Sequence, residues 1–331
     1  MKILYVDLQY DYGMKHRGPN TIGELGFHQV FKTLGHDVNC FYYDDYLTLE
    51  SKPALQTALL EAAGRLRPDL IFFNLFAEQF NLETIVTLSA QTKTINWFGD
   101  DQWRFDQLTT KYAPHFTYCI TTDYFAIPKY RALGIKNVIL SQWAALNVPV
   151  QPTAADHSYE FDISFIGGSH SVRRWFISEF KKTGLQVATF GFGWPNGTVP
   201  LNRMVEIFRN SKINLNLSNS VNFDLRYLTH NYKNAIVAMK SKKGTSQIKA
   251  RNFEIPYYGG FQLTDYVPTI EKYFTLGSEL ICYSNVDEAI LLAKHYLAND
   301  SERELIKLKG IAKAREAHTY LHRLKDVLNQ L

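Results

Sequence analysis

The sequence lacks several features that would place it in other classes of protein. It has only three cysteines among 331 residues, Cys40, Cys119 and Cys282, which are far apart, form no CxxC pair and lie in apolar runs. We expect reduced, buried thiols, as in a cytoplasmic protein. No run of about 18 apolar residues is present, and MKILYVDLQY at the amino terminus has no long apolar core, so neither a membrane span nor a signal peptide is expected.

A strong excess of one charge is also missing. The net charge is +4, which is too small to indicate nucleic acid but suits an acidic substrate such as a nucleoside diphosphate. The first apolar run is not followed by GxGxxG, which disfavours an NAD oxidoreductase, and no GxSxG hydrolase motif occurs. With 46% apolar and 21% charged residues in a chain of 331, we expect two folded domains and no extensive disorder.

Short apolar runs alternate with helix-type segments in both halves of the sequence. Lys2–Leu8, His36–Tyr43 and Leu70–Phe76 read as buried strands, and the alternation restarts after a proline-containing segment at 147–158. This βαβ rhythm predicts doubly wound parallel sheets in an α/β protein.

The same pattern sets the expected domain organisation. We expect an acceptor domain at 1–148, a donor domain at 149–315, and a last helix at 316–331 that could pack back on the first domain. Ligands are expected where strands end, in a cleft between the domains.

The most specific stretch is QIKARNFEIPYYGGFQLTDYVPTIEKYF, Gln247–Phe274. Together with Cys282-Tyr283, Val286-Asp287-Glu288, His318-Thr319-Tyr320 and Arg323, it resembles the C-terminal half of CgeB-type (spore-maturation-type) glycosyltransferases, a branch of the GT-B class. Weaker similarity covers Trp97–Phe105, and Phe165–Gly168 with Arg173-Arg174. The resemblance implies two Rossmann-like domains, a nucleotide-sugar donor, and a retaining, metal-independent transfer that needs no resident cofactor.

The residue types in this stretch suit a nucleotide donor. A helix predicted at Ala250–Tyr257 begins after Gly244-Thr245-Ser246, and its amino terminus, with Lys249 and Arg251, would attract phosphate. The GT-B class carries a Glu on this helix that accepts from both ribose hydroxyls, which the resemblance implies for Glu254; the alternative is a surface ion pair. Gly259-Gly260 predicts a tight turn that closes the pocket.

The stretch departs from the class pattern at one position. Ser246 stands where many retaining enzymes of this class carry the first Glu of an E-x7-E pair, so the sugar and the stereochemistry stay open.

Two glycine-containing loops are further donor-site candidates. Gly167-Gly168-Ser169-His170 lies between a strand and a helix opened by Arg173 and Arg174, where a bound anion would offset unfavourable charge; the alternative is two solvated arginines. In Gly191-Phe192-Gly193-Trp194 an aromatic ring could stack on the nucleobase or pack in the core. The predicted donor-binding residues are Gly167, Gly168, Arg173, Arg174, Gly193, Trp194, Ser246, Gln247, Lys249, Arg251, Asn252 and Glu254.

In the first half, polar residues follow two predicted strands. Asp100 and Asp101 are predicted to be catalytic, since paired carboxylates could bind sugar hydroxyls, act as a base or hold a metal; the alternative is a helix N-cap. The loop Tyr10–Asn20 is predicted to face the acceptor, unless it is merely solvated. Its candidate residues are Tyr12, Lys15, His16 and Arg17.

No metal site is predicted. His318 and His322 are spaced to share one helix face, but no third ligand stands beside them, which favours structural or solvated histidines.

The sequence as a whole predicts a cytoplasmic glycosyltransferase that uses a nucleotide sugar, such as a UDP-sugar, and an unidentified acceptor, with no nucleic-acid partner. The alternatives are a catalytically inert nucleotide-sugar-binding module and a nucleotide-sugar epimerase. Base, sugar, acceptor and oligomeric state stay open.

Overall fold

The chain separates into two compact units. The computed structural model describes residues 1–150, 158–218, 222–241, 243 and 246–331. Unit 1 comprises Met1–Asn147 together with Tyr320–Leu331, and unit 2 comprises Val148–Thr319. The segment predicted as a linker, 147–158, lies mostly outside the described residues.

Unit 1 contains a parallel sheet with the strand order β2-β1-β3-β4-β5-β6. The strands are β1 Lys2–Asp7, β2 Asp37–Tyr42, β3 Leu70–Phe73, β4 Lys93–Phe98, β5 Tyr118–Thr121 and β6 Val138–Leu140. All four residues of β3, Leu-Ile-Phe-Phe, are buried, as expected for a strand covered on both faces. The predicted strands are present, although β3 ends three residues before the predicted Phe76.

Helices cover both faces of this sheet. They are a π-helix Ile22–His28, α1 Gln29–Thr33, α2 Lys52–Leu66, α3 Leu82–Gln91, α4 Asp101–Arg104, a π-helix Phe105–Thr109, α5 Thr110–Tyr112 and α6 Ile127–Ala132, with 3-10 turns at Asp11–Gly13, Lys15–Arg17, Asp44–Tyr46, Ala113–His115 and Tyr124–Ala126. The helical segment between β1 and β2 begins as a π-helix, Ile22–His28, and continues as α1.

Unit 2 contains a second parallel sheet, with the order β11-β10-β9-β7-β8. Its strands are β7 Phe161–Ile166, β8 Val187–Phe190, β9 Ser211–Asn216, β10 Gln262–Asp265 and β11 Ile281–Tyr283. Its helices are α7 Ser171–Lys182, α8 Leu201–Arg209, α9 Leu225–His230, α10 Tyr232–Lys240, α11 Arg251–Tyr257, α12 Val286–Ala298 and α13 Asp300–Ala317, with a 3-10 turn at Ile270–Lys272. Helices α9 and α10 were not predicted. No helix of the described residues is long and apolar enough to cross a membrane.

Each sheet has a topological switch point beside its first strand. Strand β1 lies between β2 and β3, and β7 lies between β8 and β9, so successive connections leave in opposite directions. Loops on the two sides of such a point diverge and leave a crevice at the carboxyl ends of the strands, where doubly wound sheets bind ligands. The functional site of each unit is therefore sought at this edge.

The last helix, α14 Tyr320–Leu328, completes unit 1. The Tyr320 ring is buried, and its centroid lies 5.4 Å from that of Phe27. It packs on Gly26, where a Cβ would come within 3.0 Å of the ring, so the glycine makes room for it. The helix was predicted to cover 316–331, but it begins at Tyr320. His318 therefore precedes α14 and does not share a helix face with His322.

Candidate functional site

Two loops at the switch point of unit 2 are held against each other. After β7, the Gly167 amide donates to the Phe190 carbonyl at 2.8 Å, and the Trp194 indole donates to the Gly167 carbonyl at 2.8 Å. Gly191 has φ 120°, and a Cβ there would lie 2.5 Å from the Gly167 carbonyl oxygen. Close approach of the two backbones therefore requires glycine at 191.

The Trp194 ring packs against other side chains of unit 2. Its centroid lies 6.1 Å from that of Phe165, and it packs against the apolar core of unit 2. The neighbouring Gly193 has φ 81°, so it forms part of the loop turn. The described contacts of Trp194 are packing contacts, and its stacking on a nucleobase stays a prediction.

Arg173 spans the switch point. Its guanidinium donates to the Gly168 carbonyl at 3.0 Å and to the Leu217 carbonyl, which follows β9, at 2.8 Å. Burial lowers the pKa of Arg173 to about 10, opposed by the nearby carboxylate of Asp265. Arg173 thus joins the two strand-end loops, and its predicted contact with the diphosphate stays a prediction.

Positive charge collects around His170, the residue just before α7. Burial lowers the pKa of His170 to about 4, and the charges of Arg173, Arg174, Lys243 and Lys249 lower it further. The imidazole is therefore neutral at physiological pH while cations from three separate segments lie near it. Helix α7 has no side-chain N-cap hydrogen bond, so its amino-terminal amides add to this positive region. Such an arrangement suits phosphate.

His170 was not among the predicted site residues. The only local signal was its place in Gly-Gly-Ser-His before a helix, because Lys243 and Lys249 lie far along the chain. Arg174, by contrast, was predicted; it is exposed and donates to the Ser169 carbonyl at 3.2 Å.

The residues before α11 are ordered by their own hydrogen bonds. The Asn252 side chain is fully buried, accepts from the Lys249 amide at 3.0 Å and donates to the Thr264 hydroxyl at 3.2 Å. Asn252 thus ties the start of α11 to β10, and its predicted contact with the donor stays a prediction. The Lys249 ammonium lies 3.4 Å from the side-chain oxygen of Gln247, which is buried. Ser246 is part of this segment, whereas Gly244 and Thr245 lie outside the described residues.

Glu254 lies on α11 and is nearly buried. Its Oε2 accepts from the Arg251 guanidinium at 2.7 Å. Burial raises the pKa of Glu254, and the positive charge of Arg251 opposes that rise. The alternative, an ion pair on the surface, is not what the structure shows, because Glu254 is buried. Arg251 pairs with Glu254, and its predicted contact with phosphate stays a prediction.

The turn predicted at Gly259-Gly260 is confirmed. Gly259 has φ 98° just after α11 ends, and a Cβ on residue 260 would lie 2.5 Å from the Asn214 side chain. Both positions need glycine, one for its backbone conformation and the other for the close approach of β9.

In unit 1, Asp101 is buried and fully engaged. It accepts hydroxyl hydrogen bonds from Thr109 at 2.5 Å, Thr121 at 2.6 Å and Tyr130 at 2.8 Å. Burial raises its pKa to about 6, and these hydrogen bonds oppose the rise. The expectation that Asp101 lines an open catalytic site is therefore wrong, and Asp101 joins α4, β5 and α6. Asp100 stands partly exposed at the start of α4, and its catalytic role stays a prediction.

A second buried carboxylate, not predicted, lies at the switch point of unit 1. Asp7, the last residue of β1, accepts from the Tyr5 hydroxyl, from the Leu8 amide at 2.7 Å, and from the side chains of Asn20 at 3.1 Å and Asn74 at 3.2 Å. Burial raises its pKa to about 7. No local pattern could reveal it, because Asn20 and Asn74 are brought to Asp7 by the fold.

The loop predicted to face the acceptor is folded on itself. The Asp11 amide donates to the Gly18 carbonyl at 3.0 Å, and the Arg17 guanidinium pairs with the Asp11 carboxylate at 2.8 Å. Arg17 also lies 4.6 Å from the centre of the exposed Tyr12 ring. Lys15 and His16 are exposed on the same loop. An acceptor role for these residues stays a prediction.

The described residues include no group of three or more His, Cys, Asp or Glu placed to hold a metal ion. The predicted alternative for His318, a structural histidine, agrees with its contacts. Its ring nitrogen lies 2.8 Å from the Tyr273 carbonyl, and its ring packs 4.9 Å from Phe274.

Two Rossmann-like units with parallel sheets define a GT-B fold, and solved structures share it. A sucrose-phosphate synthase from Thermosynechococcus elongatus has a TM-score of 0.65 at 10% identity, covering 100% of this chain and 99% of that chain. A glycosyltransferase from Rickettsia africae ESF-5 has a TM-score of 0.63 at 8% identity, covering 99% and 97%. HepE from Anabaena in complex with UDP has a TM-score of 0.62 at 8% identity, covering 100% of both chains.

The sequence also matches a family model. Residues 173–329 match the family described as glycosyl transferase-like. No curated protein matches the chain. The family match and the fold together support a glycosyltransferase.

Proposed function

We propose that the protein transfers a sugar from a nucleoside-diphosphate sugar, with UDP as the first nucleotide to test, to an acceptor hydroxyl. The observation that carries the proposal is the cluster of Arg174, Lys243 and Lys249 around His170, at the switch point of the unit that matches the glycosyl transferase-like family. HepE, which shares the fold, was solved with UDP and with UDP and glucose. We further propose a CgeB-type, retaining, metal-independent enzyme of the cytoplasm.

The diphosphate would lie against the cationic cluster. When the bond between the anomeric carbon and the phosphate oxygen breaks, the diphosphate leaves with the electron pair and gains negative charge. The charges of Arg174 and Lys249 stabilise that group most when its charge is greatest. The acceptor oxygen forms the new bond to the anomeric carbon and passes its proton to the departing diphosphate oxygen. The hydrogen bonds from Arg173 to the Gly168 and Leu217 carbonyls form a clamp that keeps the loops after β7 and β9 in place during this step.

The nucleoside would lie toward α11. One Glu254 oxygen is taken by Arg251 at 2.7 Å, and the other is left to accept from a ribose hydroxyl. Arg251 then acts as a positioning residue, since its ion pair fixes the carboxylate and opposes the rise of its pKa. Ser246, with no carboxylate, would leave the sugar to be held by other groups.

The acceptor would bind to unit 1. Asp100 and the exposed Tyr12, Lys15 and His16 are the candidates. The buried carboxylates Asp7 and Asp101 are excluded from direct contact, because all their described hydrogen bonds are internal.

Calorimetry with UDP and GDP tests the donor site. We expect wild type to bind one of them, and Arg174→Ala and Lys249→Ala each to weaken that nucleotide about tenfold, because each removes a charge-assisted contact to phosphate. Lys181→Ala, at the far end of α7, is the matched control and should leave the affinity unchanged. If neither nucleotide binds at millimolar concentration, or if the control variant loses as much affinity, the donor site is misplaced.

A second pair of variants tests Glu254. Arg251–Glu254 and Arg203–Glu206 are both Arg–Glu pairs three residues apart, at 2.7 and 3.1 Å, but only Glu254 is buried. Glu254→Gln should weaken nucleoside diphosphate about tenfold, since it loses a charged acceptor for ribose, while Glu206→Gln should have no effect. If uridine diphosphate binds the Glu254→Gln variant as tightly as wild type, Glu254 does not contact the ribose.

Turnover of a bound UDP-sugar separates the remaining functions. Slow release of free UDP without acceptor, by transfer to water, supports a transferase. An isomerised sugar without free UDP indicates an epimerase, and tight binding without either product indicates an inert binding module.

A further inference from the structure

Helices α9 and α10 expose large apolar side chains close together. Most exposed apolar residues elsewhere in the described chain are single, which is ordinary for a protein surface. Here five fall between 223 and 239. Their exposed fractions are 64% for Phe223, 76% for Leu225, 72% for Tyr232, 42% for Ile236 and 80% for Met239. An apolar concentration of this kind marks an interaction surface.

The exposed residues of α10 form one stripe. Tyr232, Ile236 and Met239 are four and three residues apart, which places them on the same helix face. The opposite face is the packed one: Asn234 is buried, and its side chain donates to the Tyr227 carbonyl of α9 at 3.0 Å. The apolar stripe therefore points away from the core of unit 2.

Lysines flank the stripe. Lys233 and Lys240 are seven residues apart, so they lie on one side of α10, next to the apolar face, and both are exposed. Long lysine stems can lie along apolar surface while the ammonium groups reach outward.

The surrounding sequence carries charge of one sign. No Asp or Glu occurs between Asp224 and Glu254, although the whole chain has 32 acidic residues against 36 basic ones. The basic residues in this interval are Arg226, Lys233, Lys240, Lys242, Lys243, Lys249 and Arg251. Arg226 is paired with Asp224 and Asp287, at 2.7 and 2.9 Å, whereas Lys233 and Lys240 of α10 are both exposed.

We propose that the exposed face of α10, formed by Tyr232, Ile236 and Met239 with Lys233 and Lys240, binds membranes that contain anionic phospholipids. The apolar side chains would enter the boundary between headgroups and acyl chains, and the two lysines would meet headgroup phosphates. This inference goes beyond the proposed sugar transfer and does not depend on it.

The charge and the apolar character of this surface together favour an anionic membrane over other partners. A nucleic acid would match the lysines but would leave the aliphatic stripe in water. A second copy of the chain would match the stripe but would bring two basic surfaces together. An anionic bilayer complements both features at once.

Vesicle co-sedimentation tests the proposal. Wild type should sediment with vesicles of phosphatidylglycerol and phosphatidylcholine, and at least about tenfold less with phosphatidylcholine alone, because the lysines then lose their partners. Ile236→Asp with Met239→Asp should lower binding to anionic vesicles by about tenfold or more, since charges would enter the apolar boundary. Lys233→Gln with Lys240→Gln should also lower it by about tenfold and remove its dependence on salt.

A matched control uses exposed leucines elsewhere in unit 2. Leu291→Asp with Leu308→Asp, on α12 and α13, places two charges at residues that are 68% and 61% exposed and should bind anionic vesicles like wild type. Circular dichroism and thermal melting would show that every variant is folded, and UDP calorimetry reports the donor site separately. The proposal is overturned if wild type stays in the supernatant, or if the α10 variants and the control pair lose binding equally.

Discussion

The two units join their strand-end loops with side chains of opposite charge. In unit 1 the Asp7 carboxylate reaches from the end of β1 to Asn74 after β3. In unit 2 the Arg173 guanidinium spans from Gly168 after β7 to Leu217 after β9. Burial acts on both, raising the pKa of Asp7 to about 7 and lowering that of Arg173 to about 10.

The difference shows that one topology can serve opposite electrostatic roles. Around the strand ends of unit 1, burial also raises the pKa of Asp101 and Asp123, so this edge disfavours further negative charge. Around those of unit 2, burial and then the nearby cations lower the pKa of His170, and a bound anion would relieve the repulsion among those cations. The proposed binding of a diphosphate by unit 2 and of a hydroxyl acceptor by unit 1 follows this division.

Removing the carboxylate of unit 1 should have the largest effect. Asp7→Ala leaves four hydrogen-bond donors without their acceptor, three of them side chains, and should lower the unfolding free energy of unit 1 by about 4 kcal/mol. Urea titration followed by hydrogen exchange of peptides from β1 and β3 measures it. Asp37→Ala, at an exposed position of β2, is the control and should change stability by less than about 0.5 kcal/mol. Equal effects of the two variants would show that Asp7 does not hold the switch point.

Removing the guanidinium of unit 2 should have the next largest effect. Arg173→Ala leaves the Gly168 and Leu217 carbonyls without their donor and should cost about 3 kcal/mol in unit 2. The same measurement on peptides from β7 and β9 would detect it. Arg174→Ala, one residue along and exposed, should cost less than about 0.5 kcal/mol. If unit 2 stays as stable in Arg173→Ala as in Arg174→Ala, the clamp does not stabilise the loops.

The smallest expected effect concerns how the stability contributions of Asp7 and His170 change with pH, which should have opposite signs. Between about pH 4 and 7 folded Asp7 holds a proton that the unfolded chain has lost, so its contribution to stability falls as pH rises, by at most about 1.4 kcal/mol per pH unit. Between about pH 4 and 6.5 the unfolded chain holds a proton that folded His170 lacks, so its contribution rises with pH. The His170 slope should be smaller because part of the ring is exposed.

Variants isolate these two slopes from those of other groups. Urea titrations at several pH values give the unfolding free energy of wild type and of each variant. The stability difference between wild type and Asp7→Asn should fall as pH rises, and that between wild type and His170→Gln should rise. If both differences change with pH in the same direction, the comparison of the two units is contradicted.

The sequence was sufficient for features that depend on local pattern. Fully apolar runs such as β3 predict buried parallel strands, and Gly259-Gly260 predicts the turn that ends α11. It was insufficient where distant residues meet. The interaction of Asp7 with Asn20 and Asn74, and that of His170 with Lys243, depends on the folded chain. Helices α9 and α10 were not predicted, although Tyr232, Ile236 and Met239 of α10 have the four-and-three spacing of a single helix face.

The packing of Tyr320 on Gly26 affects how the protein is made. Unit 1 is discontinuous: its first 147 residues precede all of unit 2, and its last helix follows it. Unit 1 therefore cannot complete its core until all of unit 2 has been synthesised. For the same reason, unit 1 cannot be obtained as a complete fragment by a single cut between the units.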